Sequence, residues 1–287
     1  MKSNLIHISL QVQFLLKYLW CMVVLATLLL GDETWPMQQR SLRSIRVHHP
    51  DIPIITYYAL EQAGAILEEL KGLHVEAIDI QGRGFLRRIP AGGYASYNSA
   101  LFNLKTAYKW HLIHDLLVKY KCPVIFVDAD IKLLQPLPLR DLSCILDSYQ
   151  CFVQDEGNTL FPKHPCTGFM GFAYSDQTLS LLEELLKAHA ADLIYGKGRH
   201  DQDLFYSYLK DHADFRRHIY YLPQRLFPVG YMAPLYRNYR SENRSGQLSS
   251  PILFHANWVV GCDAKTALMD AFVAETPQQE FSASLEG

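Results

Sequence analysis

The stretch "CPVIFVDADIKLLQP", residues 122–136, decides how this chain folds. Val124 to Val127 are all β-branched or aromatic, the composition of a buried strand. Two aspartates, Asp128 and Asp130, follow one residue apart, and the chain then turns apolar again. In an open α/β sheet, ligands bind beyond the carboxyl ends of the strands. Burying two close carboxylates there without partners is costly, and a divalent cation removes that cost. Residues i and i+2 of an extended chain face the same side, so both carboxylates reach one ion, directly or through water. Oxygen donors suit Mg²⁺ or Mn²⁺, which complete their shells with substrate phosphates.

Outward from this stretch, the pattern alternates strand and helix. "PIITYYAL" (53–60), "HVEAIDI" (74–80), "CFVQDE" (151–156), "CTGFMGFAYS" (166–175) and "PILFHANWVV" (251–260) read as strands. "QAGAILEEL" (62–70), "DQTLSLLEELLKAHA" (176–190) and "DQDLFYSYLKDH" (201–212) read as helices, the last with Asp201 as its N-cap. One long helix is expected from Ser99 to Tyr120, with Leu101, Leu104, Tyr108, Leu112 and Leu116 on its apolar face. This alternation predicts a single α/β domain with a mostly parallel central sheet over residues 51–270, followed by a tail at 271–287. The glycines at 82–93 lack the G-x-G-x-x-G spacing after a strand, which argues against a dinucleotide fingerprint.

The formal net charge of −2 over 287 residues offers no basic excess for nucleic acid. Tyr18 to Leu30 is free of charge, with lysines before it and Asp32 and Glu33 after it. It reads as a signal anchor (18–31) behind a cytosolic tail (1–17). A polar stem (32–50) follows, and the rest of the chain faces the lumen of the Golgi or another secretory membrane. A cleaved signal peptide and a buried N-terminal helix are the alternatives. The sequon Asn243-Arg-Ser fits a lumenal loop, and no C-x-x-C pair suggests zinc.

A second motif lies far from the first: "FHANWVVGCDAK", residues 254–265. His255 can supply a nitrogen ligand to a metal. Gly261 lets backbone approach a phosphate, and Lys265 offers it a point charge. A strand ending in DxD also begins haloacid-dehalogenase-type phosphatases, but here Lys132 follows the motif and no downstream acidic motif is found to hold Mg²⁺.

Together the two motifs resemble the GT-A glycosyltransferases, and more narrowly the nucleotide-diphospho-sugar transferase family that includes plant rhamnogalacturonan xylosyltransferases. "KWHLIHDLLVKYKCPVIFVDADIKLLQP", "CTGFMGFAYS", "DQDLFYSYL" and "FHANWVVGCDAK" carry the resemblance across about residues 51–270. Asp203 and Phe205 depart from the family's usual form of the Asp-Gln helix. The resemblance implies a GT-A-type Rossmann-like domain that moves a sugar, with retention, from a nucleotide sugar such as a UDP-sugar to a glycan or glycoprotein. It implies Mn²⁺ or Mg²⁺ held by Asp128, Asp130 and His255. Donor contacts would come from Thr56, Tyr57, Lys109, Asp128, Gly261 and Lys265. Sugar or acceptor contacts would come from Thr167, Gly168, Asp201 and Gln202. It names no catalytic nucleophile. A binding protein that kept the fold and lost turnover is the non-enzyme alternative, and the intact Asp128, Asp130, His255 and Lys265 weigh against it.

Overall fold

The structure is a computed structural model that describes residues 23–81, 95, 99–157, 163–195, 198–230 and 251–271. Nine strands occur among them: β1 Val24–Leu30, β2 Ile54–Ala59, β3 Val75–Asp79, β4 Val124–Val127, β5 Ile131–Leu133, β6 Cys151–Asp155, β7 Pro165–Phe172, β8 Ile219–Leu222 and β9 Leu253–His255. Eight α-helices join them: α1 Trp35–His48, α2 Ala63–Gly72, α3 Ala100–Ala107, α4 Lys109–Tyr120, α5 Leu139–Ser148, α6 Asp176–Tyr195, α7 Asp201–Asp211 and α8 Cys262–Ala271. Seven strands form one sheet in the order β3-β2-β1-β4-β7-β6-β8, and β5 pairs with β9 in a small second sheet. Strands β3, β2, β1 and β4 run parallel, and β6 and β8 are parallel to each other. Only β7 runs antiparallel to its neighbours in the large sheet.

The N-terminal expectation is corrected here. Residues 24–30, the heart of the anticipated anchor, are an interior parallel strand of the sheet, flanked by β2 and β4. Such a strand is buried on both faces, so it reads as an unbroken apolar run, as a membrane segment does. A membrane-crossing helix needs about 20 apolar residues, and β1 has 7. Among the described residues no helix is long and apolar enough to cross a membrane. The stem expectation also fails. α1 buries Trp35, Met37, Gln38, Ser41, Leu42 and Ile45, a helical face laid on the sheet. Inside that contact the Gln38 amide donates to the Thr27 hydroxyl at 2.9 Å. The domain therefore takes in residues 23–50 as well. Residues 1–17, 18–22 and 272–287 of the expected boundaries lie outside the described residues.

Two apolar clusters cover the two faces of the sheet. One carries Trp110, Leu112, Ile113, Leu116 and Phe205 from α4 and α7. The other carries Trp35, Leu42, Ile45, Leu142 and Ile145 from α1 and α5. The single helix expected over 99–120 is two, α3 and α4, meeting at Tyr108. Ser99 caps α3 by accepting from Phe102 N. The break turns Lys109 inward, where it is almost wholly buried.

Candidate active site

At the end of β4 Asp128 N still donates to the Gly168 carbonyl oxygen of β7 (2.8 Å), and the chain then turns, Ile131 N closing onto Asp128 O (3.2 Å). The chain leaves this turn as β5, where Ile131 lies opposite His255 of β9. Ala256 N donates to Asp130 O at 2.9 Å, fastening the two motifs together. Asp128, Asp130 and His255 each bring a ligand atom within 4.8 Å of the others. Two distant stretches of sequence thus form one donor set.

The residues fit a divalent ion of the Mn²⁺ or Mg²⁺ kind. Gln154 is fully buried, and its Nε2 donates to the carbonyl oxygens of Phe227 and Pro228, both at 3.2 Å. Its Oε1 therefore faces His255 Nδ1, 3.0 Å away, and that nitrogen must be the donor. In the neutral ring Nε2 then presents a lone pair to Asp130 Oδ1 at 3.2 Å. Two acceptors face each other there, and a proton or a metal ion between them reconciles the pair. Space is cleared for the ring by Gly168, where any Cβ would overlap the imidazole.

The two aspartates belong to separate networks. Asp128 faces Lys109, whose Nζ lies 3.1 Å from Asp128 Oδ1, 2.7 Å from Asp201 Oδ2 and 3.1 Å from the Thr167 carbonyl oxygen. The Thr167 hydroxyl donates to the same oxygen of Asp201. Burial acts to lower the Lys109 pKa, but the two carboxylates outweigh it and raise the pKa. For Asp201 the same lysine and the Thr167 hydroxyl overcome burial and hold the carboxyl below its usual value. Asp128 is less well compensated. Burial, helped by Asp130 and Asp201, pushes it up to about 6 against the pull of Lys109.

Asp130 has the opposite setting. Lys265 Nζ donates to Oδ2 while His255 faces Oδ1. Together they override burial and hold Asp130 well below the usual carboxylate range. Lys265 stands on the first turn of α8, just beyond Gly261, whose φ of 98° suits glycine. α8 is tied down by Lys132, which donates to Met269 O at 2.8 Å, and by a bidentate Arg40–Asp270 pair at 2.7 and 2.8 Å.

Not every residue singled out from the sequence reaches this site. Thr56 and Tyr57, the expected base and ribose contacts, are buried in β2. Tyr57 turns its hydroxyl to Asp115 of α4 (3.3 Å). The expectation took β2 for the first strand, and β1 holds that place. Asp201 is not the N-cap of α7. His200 is, accepting from Asp203 N at 3.4 Å, and this leaves the Asp201 carboxylate for Lys109. Gln202 sends its Nε2 to Glu156 Oε2 at 2.8 Å.

Glu156 is the residue that sequence reading missed. Its Oε1 also accepts from Asn257 Nδ2 (2.9 Å) and from the Trp258 indole nitrogen (2.6 Å). One carboxylate thus joins β6, α7 and the turn after His255. Trp258 is 69% exposed and has a φ of 65°, a left-handed conformation rare for a bulky side chain. Strain of this kind clusters at functional sites. The signal in the sequence was the tryptophan itself, placed three residues after a candidate metal ligand.

A mostly parallel α/β sheet with a DxD turn at a strand end, a facing histidine and a lysine on a helix N-terminus defines a GT-A glycosyltransferase. Residues 90–269, more than half of the chain, match the nucleotide-diphospho-sugar transferase family, and the chain belongs to that family. Solved glycosyltransferase structures share the fold. A galactosyltransferase, LgtC, in complex with donor and acceptor sugar analogs, is 16% identical with a TM-score of 0.51; the match covers 89% of this chain and 97% of that one. Mouse xyloside xylosyltransferase 1, in its apo form, is 11% identical with a TM-score of 0.51, over 82% and 98% of the two chains. No curated protein matches the sequence.

Proposed function

We propose that this glycosyltransferase is metal-dependent and moves a sugar from a UDP-sugar to a glycan or glycoprotein acceptor with retention of configuration. The observation that carries the reading is the convergence of Asp128, Asp130 and His255 within 4.8 Å beside Lys265. Asp130, His255 and Asp128 would hold the ion, and Asp128 would also meet the ribose. When bound, Mn²⁺ or Mg²⁺ neutralises charge on the departing diphosphate as the bond from sugar C1 to the phosphate oxygen breaks. Lys265 adds a second positive charge, and Gly261 and the N-terminus of α8 present backbone N–H groups to the phosphate. Lys109 holds Asp128 and Asp201 ionised and in place. Thr167, Gly168, Asp201 and Gln202 shape the sugar side of the site. Trp258 offers its ring to the acceptor. The stretches 81–98 and 228–250, which would choose sugar and acceptor, lie largely outside the described residues.

The test is protection by UDP against thermal unfolding, with and without Mn²⁺. A ligand at 100 times its Kd stabilises by about 2.7 kcal/mol. Metal-dependent protection supports the reading, and no shift rejects it in favour of a fold that lost turnover. We also propose a secretory location. With residues 24–30 built into the sheet, its support is the sequon at Asn243. A glycosidase-sensitive mass difference, lost in Asn243→Gln, would check it.

A further inference from the structure

A cavity of about 530 Å³ lies along the edge strand β8. Its size is in the ordinary range of small-ligand sites. Lys163, Arg216 and Arg217 line it, and among the described residues no carboxylate does. Arg217 meets Asp214 at 3.7 Å, a pair that is largely in solvent. Among the described residues Arg216 commits its Nε alone, to the Leu209 carbonyl oxygen at 3.0 Å, which fixes the guanidinium plane. Three tyrosines, Tyr149, Tyr206 and Tyr221, add apolar faces with polar tips.

The cavity shares a wall with the transfer site. His164 lines it and stacks on Tyr206, ring centres 5.1 Å apart. On its other side the His164 Nδ1 lies 3.9 Å from Glu156 Oε2, the carboxylate that holds Gln202, Asn257 and Trp258. A chain-like ligand resting on Trp258 would meet this cavity one side chain further along.

We propose that this cavity binds the distal part of the acceptor, and that the acceptor is an acidic oligosaccharide bearing carboxylate or sulfate groups. The inference rests on the proposed function for its link to transfer. Arginine and lysine select the anion, with Arg216 presented as a fixed fork. Tyrosines pack against sugar faces and bond to hydroxyls. Burial pushes the Tyr221 phenol up to about 12, so it stays a neutral donor throughout the physiological range.

The experiment is calorimetric titration of the full chain with an oligouronate, a sulfated oligosaccharide and a neutral oligosaccharide of equal length, with inorganic sulfate as competitor. The proposal expects at least one acidic oligosaccharide to bind ten-fold or more tightly than the neutral one. It expects that affinity to fall at least ten-fold in Lys163→Gln/Arg217→Gln, two exposed positions that leave the Arg216 packing intact. Arg216→Lys, which keeps charge and loses the fork, should give a smaller loss. Equal binding of neutral and acidic chains would overturn the proposal. So would unchanged affinity in the double variant, or binding of sulfate alone as tightly as the oligosaccharides. UDP–Mn²⁺ protection measured on the same variants separates the two readings. Its absence in wild type rejects the proposed function, whereas its presence with no acidic-glycan binding rejects only this inference.

Discussion

Asp128 and Asp130 are two residues apart in one turn, yet they sit in opposite electrostatic settings. Asp128 belongs to an inner network, in which one buried lysine serves two carboxylates and leaves Asp128 raised to about 6. Asp130 belongs to an outer network, in which two cationic or cation-ready groups serve one carboxylate and hold it low. Spacing therefore says that two carboxylates converge but not what each does for the fold. The inner set is built for rigidity, with Lys109 almost wholly buried between α4, β4, β7 and α7. The lysines differ in openness although the outer carboxylate is itself buried: the Lys265 side chain is 24% exposed against 2% for Lys109, which leaves Lys265 the one within reach of an incoming phosphate.

The largest expected effect breaks the inner network. Lys109→Met leaves Asp128 and Asp201 facing each other without a cation. Removing one partner of a buried ion pair costs about 3–5 kcal/mol. Lys265→Met leaves the buried Asp130 still facing His255, so it should cost less, about 1–3 kcal/mol. Denaturant unfolding of the metal-free protein compares them directly. Equal losses would remove the distinction between the networks.

Acid titration of stability sharpens the comparison once a remote pair of histidines is counted. His111 and His189 pack with ring centres 5.8 Å apart. Burial lowers each to about 4 from the model-compound value of 6.5. Asp115 and Asp192 oppose that shift, while His114 adds to it for His111 and His111 adds to it for His189. A base with a depressed pKa contributes stability that is complete above 6.5 and is lost as pH falls toward 4. The loss is at most roughly 3 kcal/mol per ring, from about 1.36 kcal/mol per pKa unit. Asp130, held low, gives stability that persists through that window and is lost only below its unfolded value of 3.8. Asp128, raised to about 6, works the other way and gains stability as pH falls from about 6 toward 3.8. The two histidines outweigh that one carboxylate, so melting temperature should fall between pH 6.5 and 4, less steeply in His189→Leu and more steeply in Asp128→Asn. A slope unchanged in His189→Leu would discard the histidine pair as its source.

The aspartates themselves give the next effect. Asp130→Asn loses a charge that Lys265 and His255 use, and metal-free stability should fall by about 1–3 kcal/mol. Asp128→Asn replaces a poorly compensated carboxylate, and its stability should stay within about 0.5 kcal/mol of wild type. Both should lose Mn²⁺-dependent UDP protection and transfer. If Asp130→Asn retains that protection, Asp130 is not a metal ligand.

How far the sequence spoke follows from which interactions are local. β4, the DxD turn, His255 and Lys265 were legible because a continuous apolar run and a charged break are properties of neighbouring residues. β1 was misread because a strand buried on both faces and a membrane segment share one pattern, and only its partners β2 and β4 distinguish them. Asp201 looked like a helix cap because its distant partner Lys109 cannot be seen from position 201. Glu156 and the cavity at β8 are assembled from several segments at once, so no window of sequence contains them.

The smallest effect tests where the outer network ends. Trp258 continues the turn after His255, and its nitrogen is held by Glu156, but its ring lies mostly in solvent. Trp258→Ala removes little buried surface and relieves no strained side chain in the core, so stability should change by less than about 0.5 kcal/mol. It leaves Asp128, Asp130, His255 and Lys265 untouched, so UDP–Mn²⁺ protection and donor hydrolysis should match wild type. What it removes is a flat face for the acceptor, worth about 1 kcal/mol if it resembles other aromatic stacking contacts. The acceptor KM should therefore rise roughly five-fold with kcat nearly unchanged, the pattern of a lost binding contact made equally in ground and transition states. Trp258→Phe, which keeps a ring and loses the bond to Glu156, should recover most of that affinity. If alanine instead lowers kcat and spares KM, Trp258 positions the metal-side turn rather than the acceptor, and the outer network extends as far as Glu156.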